Sequence, residues 1–171
     1  MKYLLIALAI SVAVGASSAL AQQPIQSATV DELVEMLAPP PAPPALLTRS
    51  MTARNIAPAP RKIDLTVNFG FDSARLESTS KPLLLDLARA MGVERLAAIR
   101  FKVEGHTDAV GKADYNQQLS AKRAQSVLEF LAQSGVSADR MMAEGKGPSE
   151  LLMPDKPDAP QNRRVRISTI D

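Results

Sequence analysis

From Ile63 to Phe69 apolar and polar side chains alternate. Ile63, Leu65, Val67 and Phe69 stand against Asp64, Thr66 and Asn68. A period of two predicts a half-buried strand. A loop follows at 70–73. Ser80 and Pro82 then mark a helix start. Leu84, Leu87, Ala88 and Met91 form its apolar stripe, and Gly92 ends it. Alternation returns with Ile99, Phe101 and Val103 against Arg100, Lys102 and Glu104. After a polar loop, Asp114 and Gln117 have the spacing of an N-cap and its N3 partner, predicting a long helix. Its core face is Ala124, Val127, Leu128 and Leu131, and Gly135 closes it. A short strand is expected at 142–144, then a loop from Gly145 to Gln161, then a last strand through Val165 and Ile167. The order β-α-β-α-β-loop-β predicts an α+β fold, with helices packed on one face of a mixed sheet.

The chain before Lys62 has a different pattern. Lys2, the apolar run from Tyr3 to Val14 and the small-x-small triplet Ala19-Leu20-Ala21 predict a signal peptide at 1–21, cut before Gln22. The rival reading is an uncleaved anchor, because Tyr3 to Ala21 approaches the length of a membrane span. Residues 22–61 read as a tether. Seven of the thirteen prolines lie between Pro39 and Pro60, which favours an extended spacer. Within it, Val30, Leu33, Val34 and Leu37 make one helical stripe over 29–37, and Thr29 and Glu32 have capping-box spacing. This short helix either docks on its own domain or binds a partner. The globular domain is expected at 62–171.

Composition narrows the function classes. With a formal charge of +2, two Tyr, four Phe and no Trp, neither a basic footprint nor a base-stacking platform for nucleic acid is present. No cysteine exists, so disulfides and a lipidated N-terminal Cys are excluded. No series of alternating strands long enough for a membrane barrel is present. After signal cleavage no membrane span is expected.

Candidate chemistry gathers between Gly105 and Ala124. Asn116 and Arg123 are seven apart and differ by about 20° around a helix. Both fall at the edge of the core stripe, whereas Lys122 points away from it. Asp108 lies in the loop leading in. A carboxylate and a guanidinium on one cleft make a receptor for a zwitterion: the carboxylate accepts an ammonium and the guanidinium forks onto an acid. The plainer alternative is a surface ion pair, worth about 0–1 kcal/mol. His106 is the only histidine. It lacks a nucleophile or an oriented base partner, so catalysis is not expected; a loop histidine bonded to backbone is. Asp108, Gly111, Asp114 and Asn116 do not fit a calcium loop, so no metal is expected, and no cofactor. Arg164 and Arg166 read as a solvated strand face. Arg163 has no definite place, an approach to the cleft being one reading. Gly145 and Gly147 read as a turn.

Several ordered motifs resemble the OmpA-like peptidoglycan-binding domain, with relatives of the Pal and MotB kind. They are Val67-Asn68-Phe69-Gly70-Phe71-Asp72-Ser73-Ala74, Gly105-His106-Thr107-Asp108, Tyr115-Asn116, Leu119-Ser120, Arg123-Ala124, Gly145-Lys146-Gly147 and Asn162-Arg163-Arg164-Val165. The resemblance covers about 110 residues. It implies that Asp108 holds the amine of diaminopimelate and Arg123 its carboxylate, with Asp72, Thr107, Asn116 and Leu119 lining the same pocket. It implies a periplasmic, non-enzymatic module, associated with the outer membrane in some relatives. Such a module binds peptidoglycan and links an envelope component to the cell wall, and the N-terminal arm is available for an envelope protein partner. The alternative is an envelope-assembly adaptor whose wall site is degenerate. One departure stands out: the family's usual Gly-Arg pair before Asn162 is replaced within the stretch Lys156-Pro157-Asp158-Ala159-Pro160.

Overall fold

The computed structural model describes residues 23–40 and 59–170. The signal peptide expected at 1–21 and most of the expected proline-rich spacer lie outside the described residues.

Four strands form one sheet: β1 (Lys62–Leu65), β2 (Arg100–His106), β3 (Met141–Gly147) and β4 (Arg164–Ile170). Their order is β1-β4-β2-β3. β4 runs antiparallel to both β1 and β2, and β2 and β3 run parallel. The parallel pair requires a crossover, and the long helix α4 (Ala113–Gln133) supplies it. The other helices are α1 (Val30–Leu37), α2 (Lys81–Gly92) and the single turn α3 (Glu94–Ala97). The mixed sheet with helices on one face is the architecture expected from the strand and helix periods.

The core lies between sheet and helices. Leu65, Phe101, Val103 and Ile167 from the strands meet Leu84, Leu87, Met91 and Leu131 from the helices, all essentially sealed from solvent. α4 approaches β2 and β3 closely because glycines face it. A Cβ on Gly145 would sit 2.5 Å from the Ala121 backbone nitrogen, and one on Gly105 would overlap the Ser120 carbonyl. Gly145 and Gly147 therefore belong to β3 and serve helix contact; the expected turn is corrected. Polar ties hold the same seam: Gln117 Nε2 donates to the Gly145 carbonyl at 2.6 Å, and the Gly147 N–H donates to Ser120 Oγ at 2.9 Å.

Two helix starts differ from expectation in detail. α4 begins at Ala113 with Lys112 at the cap position and no side-chain cap bond. Asp114 sits in the first turn, where its charge complements the helix dipole, and Gln117 is spent on β3. Ser80 does precede α2, but its hydroxyl accepts the Asn68 N–H at 2.7 Å rather than capping the helix. The ladder with β4 ends at Leu65, short of the alternation; beyond it the Thr66 N–H bonds the Ile25 carbonyl and the Asn68 N–H bonds Ser80.

Residues 23–40 pack on this body. Ile25 bridges Leu65 in parallel and covers the open edge of β1. The Thr29–Glu32 capping box is formed, and Leu33, Val34 and Leu37 are buried against α2, α3 and β1. Of the two readings of the short helix, docking on its own domain is the one observed.

The strand face turned away from α4 carries a charge ladder. Arg164 and Arg166 both bond Asp64 at 2.9 Å, and Arg164 is 3% exposed. The expected solvated face is thus corrected: Arg164 is buried because Asp64 on β1 and the Glu150 and Asn162 carbonyls satisfy its donors. Burial works to raise the Asp64 pKa, but hydrogen bonding to Arg166 and the charge of Arg164 bring it below its usual value. Glu150, Lys146, Glu104, Glu144 and Lys102 continue the alternation of sign to β3.

Candidate functional site

A cleft of about 770 Å³ opens where the loop after β2, the start of α4 and the turn 70–73 meet. Its walls include Asp72, Thr107, Asp108, Asn116, Leu119 and Arg123. All six residues singled out in the sequence therefore meet in one place. Phe71, Val110, Tyr115, Asp158 and Arg163 are also part of the wall.

Each group is positioned by local structure. Asn116, 5% exposed, donates from Nδ2 to the Val110 carbonyl at 2.8 Å and so folds the loop that carries Asp108 back over α4. The Ala109 N–H bonds the Pro157 carbonyl at 2.9 Å, fixing that loop from the other side. Asp72 has φ +48, a region more tolerated by Asp than by most residues. The turn leaves Phe71 wholly exposed at the rim and brings Asp72 to accept from the Tyr115 hydroxyl. That bond raises the Tyr115 pKa.

Arg123 crosses the cleft wall half-buried. Its Nε donates to the Ser73 carbonyl at 3.0 Å, and its guanidinium carbon lies 5.0 Å from the centre of the Phe69 ring. Burial, then the charge of Arg163, lowers its pKa from the ordinary arginine value, though guanidinium remains charged. Among the described residues Arg123 bonds through Nε alone, leaving both terminal amino groups for an incoming acid.

Asp108 differs from the simplest expectation. Its Oδ2 pairs with Arg163 Nη1 at 2.7 Å rather than with Arg123, while Oδ1 accepts the Val110 N–H at 3.2 Å. Arg163 is thus a cleft residue. Its place follows from Asn162, which is fully buried and holds the preceding loop through Met153, Lys156 and Pro157. A ligand ammonium would compete with a half-exposed arginine for Asp108.

His106, expected in a loop with a backbone partner, ends β2 instead. It is 2% exposed, and neither ring nitrogen has a protein partner among the described residues. Burial, reinforced by Arg164 and Arg166, lowers its pKa to about 3, so it is neutral at ordinary pH. The Thr107 hydroxyl beside it is buried and likewise unpartnered. Sequence reading also missed Arg140, which lies elsewhere and donates to the Met91, Leu96 and Ile99 carbonyls. No group of three potential metal ligands occurs among the described residues. No helix among them is long and apolar enough to cross a membrane.

The sequence model of the OmpA family matches residues 68–166. The outer-membrane lipoprotein YfiB of Pseudomonas aeruginosa is 37% identical over 103 residues, 59% of this chain and 60% of the relative. Among solved structures, the peptidoglycan-associated lipoprotein of Burkholderia pseudomallei matches at 29% identity and TM-score 0.50, covering 61% of this chain and 86% of that one. The cell wall anchor of the type VI secretion system of P. aeruginosa matches at 29% identity and TM-score 0.50, covering 65% and 81%. The chain spans between 12% and 60% of the length of the curated relatives that head the comparison.

Proposed function

Because this chain belongs to the OmpA family, we propose that it is a non-enzymatic periplasmic module that binds peptidoglycan and attaches an envelope component to the cell wall. Two relatives are named for a wall association, a peptidoglycan-associated lipoprotein and a cell wall anchor, which supports the reading. The ligand group is the free zwitterionic end of diaminopimelate in the stem peptide. The observation that carries this is the meeting of Asp108 and Arg123 in one cleft, with the terminal amino groups of Arg123 uncommitted. The ligand amine bonds Asp108, displacing Arg163, and the ligand carboxylate forks onto Arg123. Asn116 holds the loop, and Asp72, Thr107 and Leu119 shape the wall. The cleft serves recognition: its charged groups suit a bound zwitterion.

Charge-assisted hydrogen bonds contribute about 1.5–3 kcal/mol, so Asp108→Ala and Arg123→Ala should each weaken binding to purified sacculi by about tenfold or more, with the fold retained by circular dichroism. Co-sedimentation unchanged in both variants would refute the site. It would favour the second reading, an assembly adaptor with a degenerate wall site, for which the existing Asp108–Arg163 pair is the specific observation.

A further inference from the structure

The charged groups of the cleft do not balance. Three carboxylates, Asp72, Asp108 and Asp158, face two guanidiniums, Arg123 and Arg163. Asp108 pairs with Arg163, and Asp72 accepts from Tyr115. Arg123 is held by Ser73 and Phe69. Asp158 is exposed and, among the described residues, has no hydrogen-bond or ion-pair partner. A zwitterion adds one charge of each sign, so the cleft keeps its net negative charge when the ligand is bound, even with Arg163 displaced from Asp108.

The backbone around Asp158 is fastened. Pro157 accepts the Ala109 N–H at 2.9 Å, directly beside Asp108. Asn162 Nδ2 donates to the Lys156 and Pro157 carbonyls at 2.9 and 3.2 Å, and the Ala159 N–H bonds the Lys156 carbonyl at 3.0 Å. Pro157 and Pro160 stiffen the same loop. The free carboxylate therefore has a defined place on the rim next to the ammonium site, and not the range of a floppy side loop.

We infer that Asp158 is a specificity-determining residue: it makes the cleft select zwitterionic ligands whose neighbouring carboxyl is neutralised as an amide over those in which it is a free carboxylate. The inference rests on the wall-binding reading above and refines its ligand class. A like charge at an exposed rim acts through a water-rich medium, so the discrimination is modest, about two- to fivefold, and fades with salt.

The test uses the full chain and two diaminopimelate-containing muropeptides. They are identical except that the carboxyl nearest the zwitterionic end is free in one and an amide in the other. Isothermal titration at low salt should show the wild type favouring the amide about two- to fivefold. Asp158→Asn should bind both forms equally, and Asp158→Lys should reverse the order. Equal wild-type affinities, or a preference that survives Asp158→Asn, would overturn this inference and leave the wall-binding reading intact. Failure of both forms to bind would overturn both.

Discussion

His106 shows how one residue can tie a site to the stability of its fold. It is sealed behind the cleft with both nitrogens unpartnered, and its pKa falls to about 3 through burial and the nearby Arg164 and Arg166. In the unfolded chain the value returns to about 6.5. Between these values the unfolded state binds more protons than the folded one. Stability from this group is complete above about pH 6.5 and is lost as pH falls toward about 3, by up to ~1.4 kcal/mol per pH unit. Urea titrations at pH 7, 6, 5 and 4 should show this slope, and His106→Gln should flatten it. Parallel curves for the two proteins would contradict the assignment. At this scale the sequence was most informative where a residue acts alone. Helical phase brought Asn116 and Arg123 to one edge, and both line the cleft. Pairings across the chain were not legible. Arg164 looked solvated because its partner Asp64 is 100 residues away. Arg163 took Asp108 from Arg123 because the buried Asn162 fixes where it emerges.

Among the elements, periodicity predicts the side that faces the core. Phe101 and Val103 on β2 and Val165 and Ile167 on β4 are buried as the alternation expects, and α2 and α4 follow their stripes, but Glu104, His106 and Arg164 on the polar strand face are buried as well. Boundaries differ where residues near the ends make distant contacts. β1 stops at Leu65, after which Thr66 bonds Ile25 and Asn68 bonds Ser80, and α4 starts two residues before the expected position, with Gln117 bonded to Gly145. The close approach of α4 to β3 was hidden in Gly145 and Gly147, since glycine signals both turns and tight packing. The short helix α1 is the element with the sharpest energetic consequence. An isolated eight-residue helix is marginal in water, yet Leu33 and Leu37 are completely buried here. Leu33→Ala should therefore destabilise the domain by about 2–5 kcal/mol, measured by denaturant unfolding of the full chain. A change below about 0.5 kcal/mol would mean that α1 is detached in solution.

At the scale of the whole molecule, two surfaces have different characters. The sheet face away from α4 is closed by paired charges from Asp64 through Arg166, Glu150 and Lys146 to Glu144. The cleft at the other end of β2 keeps unsatisfied capacity in Arg123 and Asp158, under a rim of exposed Phe71, Val110 and Tyr115. Of the two, the cleft has the chemistry for a small ligand that is charged at one end and aliphatic beyond it. Wall binding through this cleft is tested most directly by co-sedimentation of the purified protein with sacculi, with and without excess free diaminopimelate. The protein should pellet with sacculi, and diaminopimelate should release it. Pelleting that diaminopimelate leaves unchanged, or no pelleting at all, would contradict wall binding through this cleft.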